Sequence, residues 1–183
     1  MVELLSAGGA DGISVPDAAR LSGVSLRTVY RYYPTRDDLL DAASDWIYRR
    51  TFDQVPVERE LAELPAVMIA GAEQWEAHPR LARAIAYAPS LKPLVNSRRA
   101  ERIAQITREV AGAAPNLSER ERREAAAVLA YLQSIRTWVT LRQDIGLGRD
   151  ETIGAVGWAL QTLIDDLRRR NRAAVGKGER NDA

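Results

Sequence analysis

The stretch from Ser14 to Leu40 reads SVPDAARLSGVSLRTVYRYYPTRDDLL and carries the signals of two short helices and the start of a third. Ser14 is a favourable N-cap with Asp17 as its capping partner, and Gly23 supplies the left-handed residue that ends the first helix. Ser25 caps the second helix, which runs over 26–33 until a proline stops it. Two short helices joined at a glycine predict a helix-turn-helix, a motif that reads DNA.

The second helix of this pair carries the positive charge that contact with DNA requires. The whole chain has a net charge of +1, and residues 1–50 contain six arginines against seven acidic residues. Residues 26–36, in contrast, contain Arg27, Arg31 and Arg36 and no acid. A local basic patch is sufficient because phosphates attract charge only where the DNA backbone passes.

Residues 23–40 follow the pattern Gly-Val-Ser-x-x-Thr-Val-Tyr-x-Tyr-Tyr-Pro-Thr-Arg-Asp-Asp-Leu-Leu, which resembles the signature of the TetR family of bacterial repressors nearly position by position. The resemblance covers roughly residues 1–50. It implies an all-α fold, in which an N-terminal three-helix helix-turn-helix domain precedes a larger helical domain for ligand binding and dimerisation. In such a domain Val24, Val29 and Tyr33 are expected to pack the three-helix core.

The resemblance also implies roles for single residues. Thr28 and Tyr32 match positions that contact phosphate or sugar, and Tyr30 matches one that contacts backbone or a thymine methyl. Arg27 stands where most relatives have glycine, and either a guanine contact or a phosphate contact suits it. The full set of predicted DNA contacts is Ser25, Arg27, Thr28, Tyr30, Arg31, Tyr32 and Arg36.

Composition agrees with a helical protein that binds rather than catalyses. The 183 residues are rich in alanine, leucine, arginine and glutamate, which favours an all-α chain. There is no cysteine, and His78 is the single histidine, so we predict no catalytic set, no metal site and no cofactor. No apolar run reaches the roughly 20 residues of a membrane span and no signal peptide is evident, which predicts a cytoplasmic protein.

We predict three parts: a DNA-binding domain over 1–50, an effector-binding and dimerisation domain over 51–175, and a disordered polar tail over 176–183. Only Met1–Gly8 precedes a glycine-rich turn, so the first helix is expected to be short or truncated. The helix that follows the helix-turn-helix is predicted over Asp37–Thr51, with Trp46 on its apolar face. Further helices are predicted over 65–78, 80–88 and 94–113, then one continuous helix to Asp144 and a last one ending near Arg172.

The two last long helices show apolar residues at helical spacing, as a dimerisation pair does. Two such helices from each subunit form a four-helix bundle, which places two recognition helices about one DNA turn apart. The alternative is that these residues pack only against their own subunit. The predicted dimer interface comprises Leu129, Leu132, Ile153, Val156, Gly157, Leu160, Leu163, Ile164 and Leu167.

The middle of the chain combines large apolar side chains with a few polar tips, as effector pockets do. Each of these residues is equally consistent with an ordinary core. The predicted pocket residues are Met68, Ala72, Trp75, Ile85, Tyr87, Ile103, Ile106, Val110, Tyr131 and Trp138.

The function predicted from these features is a homodimeric transcriptional regulator that binds a palindromic double-stranded DNA operator. It is expected to repress, and to be released by a small, largely apolar effector. The alternative is a helical interaction protein of the same fold that no longer binds an operator specifically.

Overall fold

In a computed structural model the chain is all-helical, and the structure describes residues 14–52, 60–87 and 92–181. No strand occurs within these ranges. The N-terminal domain contains α1 (Val15–Ser22), α2 (Leu26–Tyr32) and α3 (Arg36–Phe52). The larger domain begins with a 3-10 turn (Leu61–Glu63) and continues through α4 (Leu64–Ala77), α5 (Pro79–Tyr87), α6 (Lys92–Ala113), α7 (Glu119–Leu132), α8 (Ile135–Val139), a π-helix (Thr140–Asp144) and α9 (Arg149–Asn181).

The N-terminal domain has its own small core. Val15, Ala18 and Ala19 of α1 pack with Val29 and Leu39, and the half-buried Tyr33 closes this cluster. The expectation that Val29 and Tyr33 pack there is confirmed. The expectation for Val24 is wrong, because this side chain is 41% exposed: it follows the glycine turn, where its N–H bonds to the Ala19 carbonyl.

The larger domain is organised around one apolar cluster that joins α4 to α9. Leu64, Met68 and Trp75 of α4 pack with residues of all the following α-helices. The cluster also includes Ala82, Ala86, Ile106, Val110, Leu129, Trp138, Val139, Val156, Leu160, Ile164 and Leu167.

A single continuous helix from about residue 116 to Asp144 was the wrong prediction. α7 begins with a capping box between Ser118 and Glu121, as expected, but it ends at Leu132. Ser134 then caps α8, accepting a hydrogen bond from the Thr137 N–H at 3.2 Å. The serine hydroxyl offers the backbone a cap in place of a helical bond, which breaks the helix at this point.

Gln133, in that break, ties three segments together. It is 4% exposed, its Nε2 donates to the Leu64 carbonyl at 2.9 Å, and its Oε1 accepts from Arg102 Nη1 at 2.7 Å. A buried amide needs such partners because an unpaired polar group is costly away from water. The start of α4, the middle of α6 and the α7–α8 break therefore share one polar anchor.

Other helix boundaries also differ from the predictions. Trp46 of α3 is 53% exposed and lies off the apolar face on which it was expected. The backbone of α9 is helical to Asn181, through most of the predicted disordered tail, because single glycines cost a helix only about 1 kcal/mol each. The expected short first helix over Met1–Gly8 lies outside the described residues.

Candidate functional site

The turn between α1 and α2 has the geometry that the sequence predicts. The Asp17 N–H donates to Ser14 Oγ at 3.2 Å, and the Ser14 hydroxyl donates to the Asp17 carboxylate at 2.5 Å. Gly23 ends α1 with φ +67°, a left-handed conformation that glycine adopts without steric cost. Ser25 caps α2 by accepting from the Thr28 N–H at 3.2 Å, and the two hydroxyls lie 2.8 Å apart. These local bonds fix the angle at which α2 leaves α1.

α2 buries one side chain and exposes most of the others. Val29 points into the domain core, whereas Arg27, Tyr30, Arg31 and Tyr32 are exposed. Arg27 makes no hydrogen bond or ion pair with any residue that the structure describes. A helix with one buried anchor and exposed basic and aromatic residues can enter a DNA groove without rearranging its own domain.

Arg31 and Tyr32 form a pair on the exposed side of α2. The Arg31 guanidinium carbon lies 4.9 Å from the Tyr32 ring centroid, and its Nη2 donates to the tyrosine hydroxyl at 3.4 Å. A cation over an aromatic ring restricts both side chains. The arrangement presents a cation and a hydroxyl together, which suits a phosphate oxygen.

Arg36 is half-buried in the first turn of α3, next to a cap that was not predicted from the sequence. Thr35 Oγ1 accepts from the Asp38 N–H at 3.1 Å, while Asp38 accepts from the Thr35 N–H at 3.0 Å and from its hydroxyl at 2.7 Å. The Thr35-x-x-Asp38 spacing is the signal that could have revealed it. The reciprocal cap holds the start of α3 directly after α2.

The acid nearest this surface on α1 is already engaged. The Ser14 hydroxyl and then Arg20 hold the pKa of Asp17 below its usual range. Arg20 also forms an ion pair with Asp17 at 3.2 Å. Asp17 therefore pairs with Arg20 within α1 and forms no ion pair with Arg27 or Arg31 of α2.

The predicted pocket residues fall into two groups. Met68, Ala72, Trp75, Ile106, Val110 and Trp138 share the core of the larger domain, and Ile85 is half-buried. Tyr87, Ile103 and Tyr131 are exposed, so the structure does not place them in a common interior. The spacing of apolar residues predicts which face of a helix is buried. A large side chain at the edge of that face can lie either in the interior or on the surface.

Trp75 and Trp138 are the two large aromatic side chains of that interior. Their ring centroids lie 6.0 Å apart at an interplanar angle of 50°. Nε1 of Trp75 is buried and has no hydrogen-bond partner among the described residues. A buried indole N–H usually finds an acceptor, so this one is a free donor within the core.

Tyr87 lies instead in a polar cluster between α5 and the α8–π-helix segment. Its hydroxyl donates to Asp144 at 3.0 Å and is 2.8 Å from the Thr140 hydroxyl. Arg83 pairs with the same carboxylate at 2.9 Å, and the hydrogen bonds from Arg83 and Tyr87 hold the pKa of Asp144 below its usual range. Arg136 lies across the tyrosine ring, 5.3 Å from its centroid. Sequence reasoning missed this cluster because the paired side chains of α5 and the α8–π-helix segment are about 50 residues or more apart, such as 53 for Tyr87 and Thr140.

Most of the predicted dimer residues are buried within their own subunit. Val156, Leu160, Ile164 and Leu167 of α9, with Leu129 of α7, belong to the core of the single chain. Leu132, Ile153 and Leu163 are half-buried against that core, and Gly157 is half-buried. The apolar period was identified correctly, but it is covered by the chain's own helices, so the five core residues are not available to a partner.

A different set of residues on the same two helices is exposed. Trp158 of α9 is 72% exposed, and Val128 and Tyr131 of α7 are exposed as well. Gly154 and Ala155, one turn before Trp158, are exposed and small. We call these five residues the α7–α9 surface. α7 and α9 pack against each other, and large apolar side chains exposed on two such helices make these residues the candidates for an interaction surface.

Comparison with known proteins agrees with this architecture. Residues 2–43 match the family described as bacterial regulatory proteins, tetR family. The fold is similar to that of a TetR variant from Acinetobacter baumannii AYE, whose crystal structure contains minocycline. The TM-score is 0.51 with 17% sequence identity, over 93% of this chain and 93% of that one. No curated protein sequence matches the chain. None of the described helices is long and apolar enough to cross a membrane.

Proposed function

Given that this chain is a member of the tetR family of bacterial regulatory proteins, we propose that it is a transcriptional repressor that a small effector releases from DNA. The observation that carries the proposal is the surface of α2. Val29 anchors the helix while Arg27, Tyr30, Arg31 and Tyr32 remain exposed. The protein acts by binding, with no catalytic step and no cofactor, and its target is double-stranded DNA in the cytoplasm.

In this proposal α2 lies in the major groove and Arg27 donates hydrogen bonds to the base edges there. A guanidinium pairs with O6 and N7 of guanine through two hydrogen bonds, and Arg27 has no partner among the described residues to compete with that contact. Ser25 and Thr28, with the Arg31–Tyr32 pair, contact phosphate and sugar, and Tyr30 contacts the DNA backbone or a thymine methyl. Arg36 completes the phosphate contacts from the start of α3.

We propose that two copies bind one palindromic operator. A two-fold dimer matches the two half-sites of such DNA, so each α2 meets one half-site. The α7–α9 surface is the proposed contact between subunits, since Trp158, Val128 and Tyr131 expose apolar area that a partner copy would cover. Gly154 and Ala155 allow close approach of a neighbouring backbone.

The proposed effector binds within the larger domain. A small and largely apolar molecule suits the Trp75–Trp138 region, where the surrounding side chains are apolar. It would act by binding more tightly to a conformation in which the spacing of the two α2 helices no longer fits adjacent grooves.

The deciding experiment is titration of the protein against the DNA that flanks its own gene, at fixed salt and with nonspecific competitor. We expect saturable binding that Arg27→Ala weakens. The matched control is Arg120→Ala, which removes the same charge from an exposed ion pair on α7, far along the chain from α2. Equal loss in both variants, or no specific binding by the unaltered protein to this or any genomic fragment, would favour the alternative of an interaction protein that has lost its operator.

A further inference from the structure

Arg136 on α8 is a half-buried cation that has no carboxylate partner among the described residues. Its Nη2 donates to the Ala86 carbonyl at 2.8 Å, and its guanidinium carbon lies 5.3 Å from the Tyr87 ring centroid. It makes no ion pair with a residue in the described part of the chain. Its Nε is buried and lacks a hydrogen-bond partner there. Two donors of one guanidinium thus differ: one is satisfied by backbone and one is free.

A free buried donor on a cation is unusual because both the charge and the N–H lose hydration when they are covered. Most buried polar groups in proteins have partners, and half-buried arginines usually meet a carboxylate. Arg83, by contrast, lies 5.5 Å from the same ring and has its carboxylate, Asp144, at 2.9 Å. Among the described residues, two cations and one anion therefore lie around the Tyr87 ring, which leaves an excess of one positive charge.

We propose that Arg136 binds the carboxylate of the effector. This inference rests on the proposed function, since it names the chemical class of the molecule that the larger domain accepts. A carboxylate would accept from the free Nε–H and from a guanidinium Nη of Arg136, the bidentate geometry that arginine favours. It would also supply the missing negative charge at the Tyr87 ring.

The rest of the effector is expected to be apolar because the side chains next to this site are apolar. Ala82 and Ala86 of α5 face the core that contains Trp138 and Trp75, and this core offers one further free donor, the indole N–H of Trp75. A single guanidinium balances a monoanion, whereas a phosphate ester or dianion would bring excess negative charge into these surroundings. The effector class is therefore an apolar or aromatic monocarboxylate.

Binding at Arg136 would also alter what holds the end of α5. The Ala86 carbonyl lies in the last turn of α5, where helical carbonyls lack a donor from their own helix, and Arg136 supplies one in the unliganded chain. A carboxylate competes for the same guanidinium. Effector binding would thus loosen the attachment of α5 to α8.

The test compares 3-phenylpropionate with its uncharged amide, 3-phenylpropionamide, at constant ionic strength. Binding is measured by calorimetry and by tryptophan fluorescence, to which Trp75 and Trp138 contribute. We expect the carboxylate to bind at least about tenfold more tightly than the amide, which is about 1.4 kcal/mol. In Arg136→Gln this preference is expected to disappear, and in Arg136→Lys to be reduced but retained.

The matched control is Arg80→Gln, which removes an exposed positive charge from α5 and should keep the preference. Helical circular dichroism of every variant shows whether it is folded. Equal binding of the two probes by the unaltered protein, or a preference that persists in Arg136→Gln, overturns the inference. If the protein prefers the carboxylate but binds no DNA, the proposed function fails and this inference stands. If it binds DNA specifically but does not prefer the carboxylate, this inference fails and the proposed function stands.

Discussion

Glu76 of α4 accepts two hydrogen bonds from the guanidinium of Arg142 in the π-helix, with Nε to Oε2 at 3.1 Å. Arg142 also donates to the Leu147 carbonyl, and its guanidinium carbon lies 6.0 Å from the Trp138 ring centroid. One side chain thus fastens the π-helix to α4 and to the turn that precedes α9. A π-helix is an uncommon element with weaker packing of its own, so it depends on such contacts.

This pair predicts a pH-dependent stability. The hydrogen bond from Arg142 holds the pKa of Glu76 below its usual range. A lowered pKa stabilises the fold above the unfolded value, about 4.3, and the benefit is lost as pH falls through the folded value. Glu76→Gln is therefore expected to cost about 1 kcal/mol of unfolding free energy at pH 7 and less near pH ~3.

Urea unfolding of the unaltered protein and Glu76→Gln at both pH values measures this difference. Glu73→Gln serves as the control, because Glu73 is exposed and its closest approach to Arg149 is 3.8 Å. A cost of Glu76→Gln that is the same at both pH values would mean that packing, and not the charge of Glu76, stabilises the contact.

Replacement by alanine is expected to change the free energy of unfolding in opposite directions at Gly23 and Gly112. Gly23 has φ +67° and open space for 4 Å around the point where a Cβ would lie, so Gly23→Ala is penalised by backbone strain alone, about 1 kcal/mol. Gly112 lies in α6, has an ordinary helical backbone and has open space where a Cβ would lie. Gly112→Ala should therefore raise the free energy of unfolding by up to about 1 kcal/mol. Thermal unfolding of both variants gives the sign, and stabilisation by Gly23→Ala would contradict the left-handed turn.

Arg27 and Arg36 are expected to contribute differently to DNA binding. Arg27→Ala should lower discrimination at one base position by about 1–3 kcal/mol if the guanidinium reads a guanine. Arg36→Ala should weaken binding to all operator variants alike and flatten the dependence on salt. Affinities for a set of single-base operator variants, each at several salt concentrations, separate the two. A uniform loss in Arg27→Ala would assign that side chain to phosphate.

The α7–α9 surface predicts a contrast between two neighbouring residues of α9. Trp158 is 72% exposed in the single chain, so Trp158→Asp should leave the helical content of the subunit unchanged and convert dimers into monomers in sedimentation. Leu160 is fully buried in its own subunit, so Leu160→Asp should destabilise the fold by several kcal/mol instead.

Ile145→Asp is the control for this contrast, since Ile145 is 62% exposed but lies in the turn between the π-helix and α9. It should alter neither stability nor oligomeric state. If Trp158→Asp remains dimeric, the exposed side of α9 is not the contact between subunits.

Within residues 14–52, the bounds of α1, α2 and α3 were predictable to within one or two residues because their signals are local. Ser14, Gly23 and Ser25 each act on backbone groups no more than five positions away, and the structure has the caps and the turn where the sequence places them. The exposed side of α2 follows from the same reasoning, since one buried position, Val29, determines which side chains of so short a helix face water.

Contacts between distant segments could not be read in this way. The sequence shows no sign that Tyr87 contacts Asp144 or that Arg136 lies over the Tyr87 ring, because both contacts depend on how α5 packs against α8 and the π-helix. The break at Ser134 was missed for a related reason: the apolar period continues through it, and the cap competes with a helical bond of similar energy.

By itself, the sequence determined the all-helical character, the caps, the turn at Gly23 and the apolar period of α7 and α9. Only the tertiary structure decided what covers that period. Leu160 and Trp158 lie two residues apart on one helix, yet one is enclosed by its own chain and the other is exposed. An apolar period predicts that one face of a helix is buried, because burying apolar area is favourable. It does not specify which surface covers that face.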